Sequence, residues 1–137
     1  MQQRNRITVE LSYTGKNFCA YVPILPGCVA TATTPDAIRK AIAAAIEFHL
    51  EGSRKDGDKL PAVFSRNYSL IYKFEPKSFF TYYKGIFTNA GLERLTGINQ
   101  KQLQHYATGL KKPRPAQAKR LESALHRLGS ELMSVEL

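Results

Sequence analysis

The sequence predicts an α+β protein in which a small sheet-and-helix domain precedes an all-helical domain. Apolar and polar residues alternate over Ile7–Tyr13 and again over Tyr68–Phe74, which is the spacing of half-buried strands. Between them, apolar residues over Ile38–Ile46 recur at three and four positions, the spacing of an amphipathic helix. The rest of the chain shows only helical spacing. We therefore expect a β-β-β-α-β domain over residues 1–75 and an all-α domain over residues 76–137.

The composition of the 137-residue chain suits one ordinary domain or two small ones. Apolar residues make up 43% of it, which supports packed cores and argues against a disordered chain. The net charge of +9 suits a polyanionic partner or an anionic surface, although it could also serve solubility. No run of about eighteen apolar residues occurs, so we expect no membrane span. The N-terminal MQQRNR has no apolar signal core, and we expect a cytoplasmic protein.

The first domain begins with a predicted β-hairpin. The strand Ile7–Tyr13 is followed by the turn Thr14–Asn17 and by a second alternating run, Phe18–Val22. Two prolines and a glycine in Pro23–Gly27 then forbid regular structure and fix an extended bend. Cys28–Thr33 is a third short strand. The two cysteines of the chain lie nine positions apart with no nearby histidine, so we expect small buried hydrophobes rather than a metal site.

The long helix of this domain has clear start and stop signals. Thr34 is a suitable N-cap and Pro35 suits the first helical position. Gly52 is the predicted end of the helix. The next strand is predicted at Tyr68–Phe74, with Leu60–Phe64 as a candidate edge strand before it.

The stretch VPILPGCVATATTPDAIRKAIAAAIEFHLEG resembles the HicB antitoxins of bacterial toxin–antitoxin pairs. Their pattern is a P-x-L-P-G-C turn, a threonine-rich strand, and a threonine and an acidic residue that open an alanine-rich helix. The matching residues are Pro23, Leu25, Pro26, Gly27, Cys28, Thr34 and Ala37, with Asp36 in place of the usual glutamate. The resemblance implies a partial RNase-H-like fold for the first domain. It also implies a protein that blocks the active site of a small basic RNA-cleaving toxin, a HicA-like protein, and binds the operator of its own operon.

The segment from Thr88 to Pro115 predicts two short helices joined by a tight turn. Leu92 and Leu95 share one face of the first helix, and Gly97 permits the positive φ that a turn needs. Asn99 suits the N-cap of the second helix, with Gln102 three residues later. The remaining signals are the inward-facing Ile98, Leu103, Tyr106 and Ala107, and Gly109 and Pro113, which end the second helix.

This layout is that of a helix-turn-helix, whose second helix enters the major groove of DNA. Gln can bond adenine and Lys can donate to guanine, so the outer face of the second helix suits base edges. The residues predicted to read bases are Asn99, Gln100, Lys101, Gln104 and His105. Those predicted to contact phosphates are Thr88, Asn89, Tyr106, Lys111, Lys112 and Arg114. The alternative is an ordinary two-helix hairpin with a solvated polar face. The segment, with its exit GLKKPRPAQAKRLESAL, resembles a Cro/repressor-type helix-turn-helix.

Two further apolar patterns complete the second domain. An aromatic stripe, expected to be core rather than a platform for stacked bases, comprises Phe79, Phe80, Tyr83 and Phe87. A last helix, opened by Pro115, repeats apolar residues at three and four positions: Ala118, Leu121, Leu125, Leu128 and Leu132. We expect this helix to cover the helix-turn-helix core and to leave part of its seam for a second copy.

The sequence does not predict catalysis. A two-metal nuclease needs several converging carboxylates, and the strands offer only Glu10. We expect no enzyme activity, no metal and no cofactor.

An antitoxin for a basic toxin should offer carboxylates. The candidates for toxin contact are Glu10, Asp36, Glu47 and Glu51, each of which could equally be an ordinary solvated charge. The expected partners are a HicA-like toxin and palindromic operator DNA, bound as a homodimer or homotetramer. The alternatives are an RNase-H-like metal-dependent nuclease with a DNA-targeting domain, and an orphan repressor without a toxin.

Overall fold

The computed structural model describes residues 5–137 and has the mixed α+β class that the sequence predicts. The chain divides after Glu75 into two compact units. Within residues 5–137, the first contains a four-stranded sheet and one α-helix, and the second contains four α-helices. The elements are β1 (Asn5–Tyr13), β2 (Phe18–Tyr21), β3 (Val29–Ala32), α1 (Pro35–Lys55), β4 (Tyr68–Phe74), α2 (Pro76–Tyr82), α3 (Asn89–Thr96), α4 (Gln100–Thr108) and α5 (Pro115–Met133). Within residues 5–137, no helix is long and apolar enough to cross a membrane.

The sheet has the strand order β3-β2-β1-β4, with β1 in the centre. β1 is antiparallel to β2 and parallel to β4, because α1 carries the chain back across the sheet between β3 and β4. The alternation in β1 places Ile7, Val9 and Leu11 on the face that packs against α1, where all three are buried. The stripe that α1 buries in return comprises Ile38, Ile42, Ile46 and Leu50.

The start of α1 follows the sequence prediction, but its end does not. The Thr34 hydroxyl oxygen accepts a hydrogen bond from the Ala37 N–H at 3.1 Å, and Pro35 occupies the first turn. The predicted stop at Gly52 is wrong, since the helix continues to Lys55. The helix continues because Leu50 is anchored in the core and Gly52 does not adopt a positive φ. The chain instead reverses at Gly57, whose φ is 71°.

The candidate edge strand Leu60–Phe64 is also wrong, because a short 3₁₀ helix occupies Ala62–Ser65. Its N-cap is Pro61, whose carbonyl accepts a bond from the Phe64 N–H at 3.1 Å. The buried Phe64 ring then packs edge-on against Tyr68, with 5.4 Å between the ring centroids. A turn that seats one large ring is therefore favoured over an extended strand.

The cysteines only partly follow the expectation that both are buried. Cys28 is buried, and burial raises the pKa of its thiol. Cys19 lies on the sheet face opposite α1 and is half-buried, because β2 alternates and Ala20 takes the inward position. Both thiols are free.

The helical unit has its own core. Its buried members come from all four helices and the α3–α4 turn: Phe80, Leu92, Ile98, Leu103, Tyr106 and Leu121. The half-buried Phe79 and Phe87 pack against them, and the Tyr83 ring lies 4.9 Å from that of Phe79, which confirms that the aromatic stripe is core. α5 begins at Pro115 as predicted and buries Leu121 and Ala124, whereas Leu132 near its end is 59% exposed.

Candidate functional site

The turn between α3 and α4 spans three residues and requires glycine at its first position. Gly97 has a φ of 74°, and its N–H donates to the Glu93 carbonyl at 2.7 Å. A Cβ at this position would lie 2.6 Å from Nη2 of Arg120 on α5, but that atom is the end of an exposed side chain that can move, so it is the positive φ that opposes a side chain here. Ile98 follows and is buried in the helical core. The turn therefore fixes the direction in which α4 leaves α3.

Two side chains cap the beginning of α4. Asn99 Oδ1 accepts from the Gln102 N–H at 2.8 Å, as the sequence predicts. Glu93 Oε2 accepts from the Gln100 N–H at 2.7 Å. Glu93 is not among the residues predicted from the sequence, because its partner lies seven residues away across a turn and no local spacing signals the bond. The negative carboxylate also suits the positive end of the α4 dipole.

The outer face of α4 carries three of the predicted base-reading residues. Gln100, Lys101 and Gln104 are all exposed, and Gln100 and Gln104 are one turn apart on the same side. Gln104 Oε1 accepts from Asn89 Nδ2 on α3 at 2.8 Å, which restricts the Gln104 rotamer. This bond uses the oxygen of the Gln104 amide, so its NH₂ group is still a donor. The arrangement presents hydrogen-bonding side chains and one positive charge from a fixed helix.

The side chains predicted to contact phosphates lie at two places. Thr88 and Asn89 open α3, where the Thr88 hydroxyl oxygen accepts from the Gly91 N–H at 3.0 Å. Lys111, Lys112 and Arg114 are exposed in the loop that follows α4. The nine residues of α4 separate this loop from Gln100 by roughly 13 Å at 1.5 Å per residue. The structure therefore spreads the predicted residues along α4 and does not gather them in one cluster.

Tyr106 does not fit the phosphate role that the sequence prediction gave it. The side chain is 2% exposed and belongs to the helical core. Tyr106 lies three residues after Leu103, so both side chains are on the inward face of α4. A side chain on this face does not reach a phosphate outside the helical core. His105 is half-buried, and within residues 5–137 its Nδ1 is buried without a hydrogen-bond partner. Only part of the His105 ring is thus accessible for reading a base.

The four carboxylates considered for toxin contact do not form one acidic patch. Glu10 lies on the sheet face opposite α1, where it accepts a hydrogen bond from the Tyr21 hydroxyl. That bond raises the pKa of Tyr21. The other three carboxylates lie on α1, with Asp36 in its first turn. Glu47 accepts a hydrogen bond from the Tyr68 hydroxyl, and Glu51 forms an ion pair with Lys55 at 3.5 Å. A partner that met Glu10 would therefore approach a different surface from one that met α1.

The Tyr68–Glu47 contact gives the sheet unit a pH-dependent group. Desolvation of the phenol, followed by its hydrogen bond to Glu47, raises the pKa of Tyr68 from 10.0 to about 12. A raised pKa means that the folded state favours the protonated phenol. The stabilisation is therefore complete below the unfolded pKa of 10.0 and is lost as the pH rises through about 12.

We expect Glu47→Gln to let Tyr68 ionise at lower pH, because the carboxylate that disfavours tyrosinate is removed while desolvation remains. Both the unaltered protein and the Glu47→Gln variant are titrated to alkaline pH while the ultraviolet absorbance is recorded. The difference between the two absorbance curves isolates the ionisation of Tyr68 from that of the other tyrosines. Glu51→Gln is the matched control, since Glu51 is exposed and pairs only with Lys55 in the described chain. Identical titrations of the two variants would contradict the assignment.

The described residues offer no obvious place for a metal ion. Within residues 5–137, no three His, Cys, Asp or Glu side chains are grouped closely enough to hold one. Models of protein families, curated proteins and solved structures give no match to this chain.

Proposed function

We propose that the chain is a HicB-type antitoxin that masks a HicA-like RNA-cleaving toxin and represses its own operon by binding operator DNA. The observation that carries the proposal is the exposed set Gln100, Lys101 and Gln104 on α4. These side chains project from the second helix of a pair joined by a three-residue glycine turn, the arrangement that helix-turn-helix proteins use to read the major groove.

The chemistry of α4 suits base edges. A Gln amide both donates and accepts, as the N6 and N7 positions of adenine require, and Lys donates to the O6 and N7 acceptors of guanine. α4 carries no acidic residue that would repel DNA. The bond from Asn89 to Gln104 pre-orients one reading side chain, which reduces the rotamer entropy lost on binding.

The loop after α4 suits the DNA backbone. Lys111, Lys112 and Arg114 are exposed there, and each can neutralise a phosphate and release a counterion. Reading a palindrome requires two copies related by a two-fold axis. In this proposal the copies form a homodimer or a homotetramer, and the apolar end of α5, with Leu132 59% and Met133 88% exposed, supplies contact area between helical units.

The sheet unit supports the antitoxin half of the proposal. The order β-β-β-α-β is the one that a partial RNase-H-like domain of the HicB type would have. The HicB-like turn is a defined structure, in which Leu25 N–H donates to Val22 and Cys28 N–H donates to Leu25, both at 3.0 Å. Carboxylates on two surfaces, Glu10 on the sheet and Asp36, Glu47 and Glu51 on α1, offer attraction to a basic toxin. Neither unit is catalytic in this proposal.

The test is co-expression of the chain with the product of the adjacent gene, followed by a footprint on the promoter of the operon. We expect a stable complex, loss of the RNA-cleaving activity of the partner, and protection of a palindromic site. Protection of the promoter without a complex between the chain and the adjacent gene product would indicate a repressor and would overturn the antitoxin half of the proposal. A complex without protection would overturn the DNA-binding half. Magnesium- or manganese-dependent cleavage by the chain alone, abolished by changing Glu10, would favour a nuclease instead.

A further inference from the structure

The outer strand β3 leaves backbone groups unpaired. β3 (Val29–Ala32) is the last strand on one side of the sheet. The bond from the Val22 N–H to the Cys28 carbonyl, at 3.2 Å, begins its ladder with β2. Bonded pairs recur every second residue in an antiparallel ladder, so the N–H and C=O groups of Val29 and Thr31 point away from β2. Within residues 5–137, no hydrogen bond from turns, loops or side chains uses these four groups. They form an open edge.

The segment of chain that forms this edge is uncharged. No charged residue occurs from Asn17 to Pro35, a run that contains β2, the bend and β3. The chain as a whole carries a net charge of +9, so two copies repel each other over most of their surface. Monomeric proteins usually protect an outer strand with Lys or Pro, and β3, with the sequence VATA, has neither. β3 itself therefore brings no like charges together when two copies meet, and Asp56 and Asp58 line the groove beside Val29.

The flank of α1 beside β3 is small and open. Ala37, Ala41 and Ala45 recur every four residues and therefore share one side of the helix. Ala45 lines a groove together with Val29 and Phe48, which places this side towards β3. Phe48 is 81% exposed on the α1 side, whereas Val29, the ladder partner of Tyr21, is 63% exposed with its side chain on the other face of the sheet. Alanine side chains allow close approach of another helix, and the two large apolar groups offer area to bury.

We propose that two copies of the chain pair through β3, antiparallel and about a two-fold axis at Ala30. In this register Val29 faces Thr31 of the partner subunit and Thr31 faces the partner subunit's Val29. All four outward backbone groups of each copy are then used in four hydrogen bonds. The two sheets become one continuous sheet, and the alanine flank of α1 meets its equivalent. Any register shifted by two residues would use fewer of these groups, so the strand is self-complementary in one register.

The first test compares Thr31→Pro with Thr31→Val in the full-length chain by sedimentation. Proline removes an N–H that points away from β2, and its fixed φ is tolerated in an outer strand, so the ladder within one copy survives. Valine keeps that N–H and is the matched control. We expect Thr31→Pro to have about half the mass of the control: a monomer where β3 alone joins the copies, and a dimer where the ends of α5 join two such pairs into a tetramer. Equal masses for the two variants would overturn the proposal.

The second test needs no variant. Amide hydrogen exchange in the unaltered chain should show the Val29 and Thr31 amides protected at least about tenfold, with protection that falls on dilution. The Ala30 and Ala32 amides, which face β2, are internal controls whose protection should not depend on concentration. Unprotected Val29 and Thr31 amides in the concentrated protein would overturn the proposal. So would protection that arises only after the adjacent gene product is added, since the edge would then belong to that partner.

Discussion

Under the proposed DNA-binding role, replacing both Gln100 and Gln104 by alanine is expected to abolish the preference of the protein for operator over scrambled duplex. Each bidentate contact between Gln and adenine contributes roughly 1–3 kcal/mol of discrimination, so each loss should weaken specific binding about fivefold to 150-fold. Both side chains are exposed, and among the described residues 5–137 only Gln104 bonds another side chain, that of Asn89, at 2.8 Å. Gel-shift titration against the operator and against scrambled duplex measures the effect, and the two affinities should converge.

Two comparisons make this result specific. Gln117→Ala removes the same side chain from α5 and should leave operator binding unchanged. Lys111→Ala or Lys112→Ala should weaken binding to operator and to scrambled duplex alike. Each should also lower by about one the slope of the logarithm of the binding constant against the logarithm of the salt concentration. An operator affinity that survives the double Gln change would mean that α4 does not read bases.

Replacing Leu103 by alanine is expected to destabilise the helical unit by about 2–5 kcal/mol. Leu103 is 0% exposed on the inward face of α4, so alanine leaves a cavity among rings and aliphatic groups that can collapse only in part. Denaturant unfolding measures the change in free energy, and hydrogen exchange should place the loss within residues 76–137. DNA binding should weaken together with stability, because the same helix carries the outward Gln side chains.

The matched control is Leu110→Ala. Leu110 lies two residues after the end of α4 and is 70% exposed, so its truncation should alter the free energy of unfolding by no more than about 0.5 kcal/mol. Similar losses for the two variants would contradict the description of the helical core.

The elements that local chemistry specifies follow the sequence closely. Alternation places β1 and β4, the Thr34-Pro35 pair starts α1, and Gly97 and Gly109 adopt the left-handed conformation that ends α3 and α4. Each signal lies within a few residues of the feature it determines. Backbone preference and side-chain capping therefore indicate these features without reference to any tertiary contact.

The features that escaped prediction depend on contacts between distant residues. Gly52 resembles a helix stop, yet Leu50 and the core beneath it carry α1 onward to Lys55. Tyr106 has the polar group of a phosphate ligand, but its ring fills the helical core. The bond between Glu93 and the Gln100 N–H joins two helices, and no periodicity in the sequence reports it. Tertiary packing overrides local preference at each of these positions.

The parallel pairing of β1 with β4 bears on synthesis of the protein at the ribosome. The first ladder partner of Asn5 is Tyr68, so the central strand lacks one neighbour until most of the first unit has emerged. Closing so long a loop is entropically costly and slow, whereas the helices of the second unit close only short connections. The nascent chain therefore carries an incomplete sheet for many codons, and its final strand completes that sheet shortly before the helices follow.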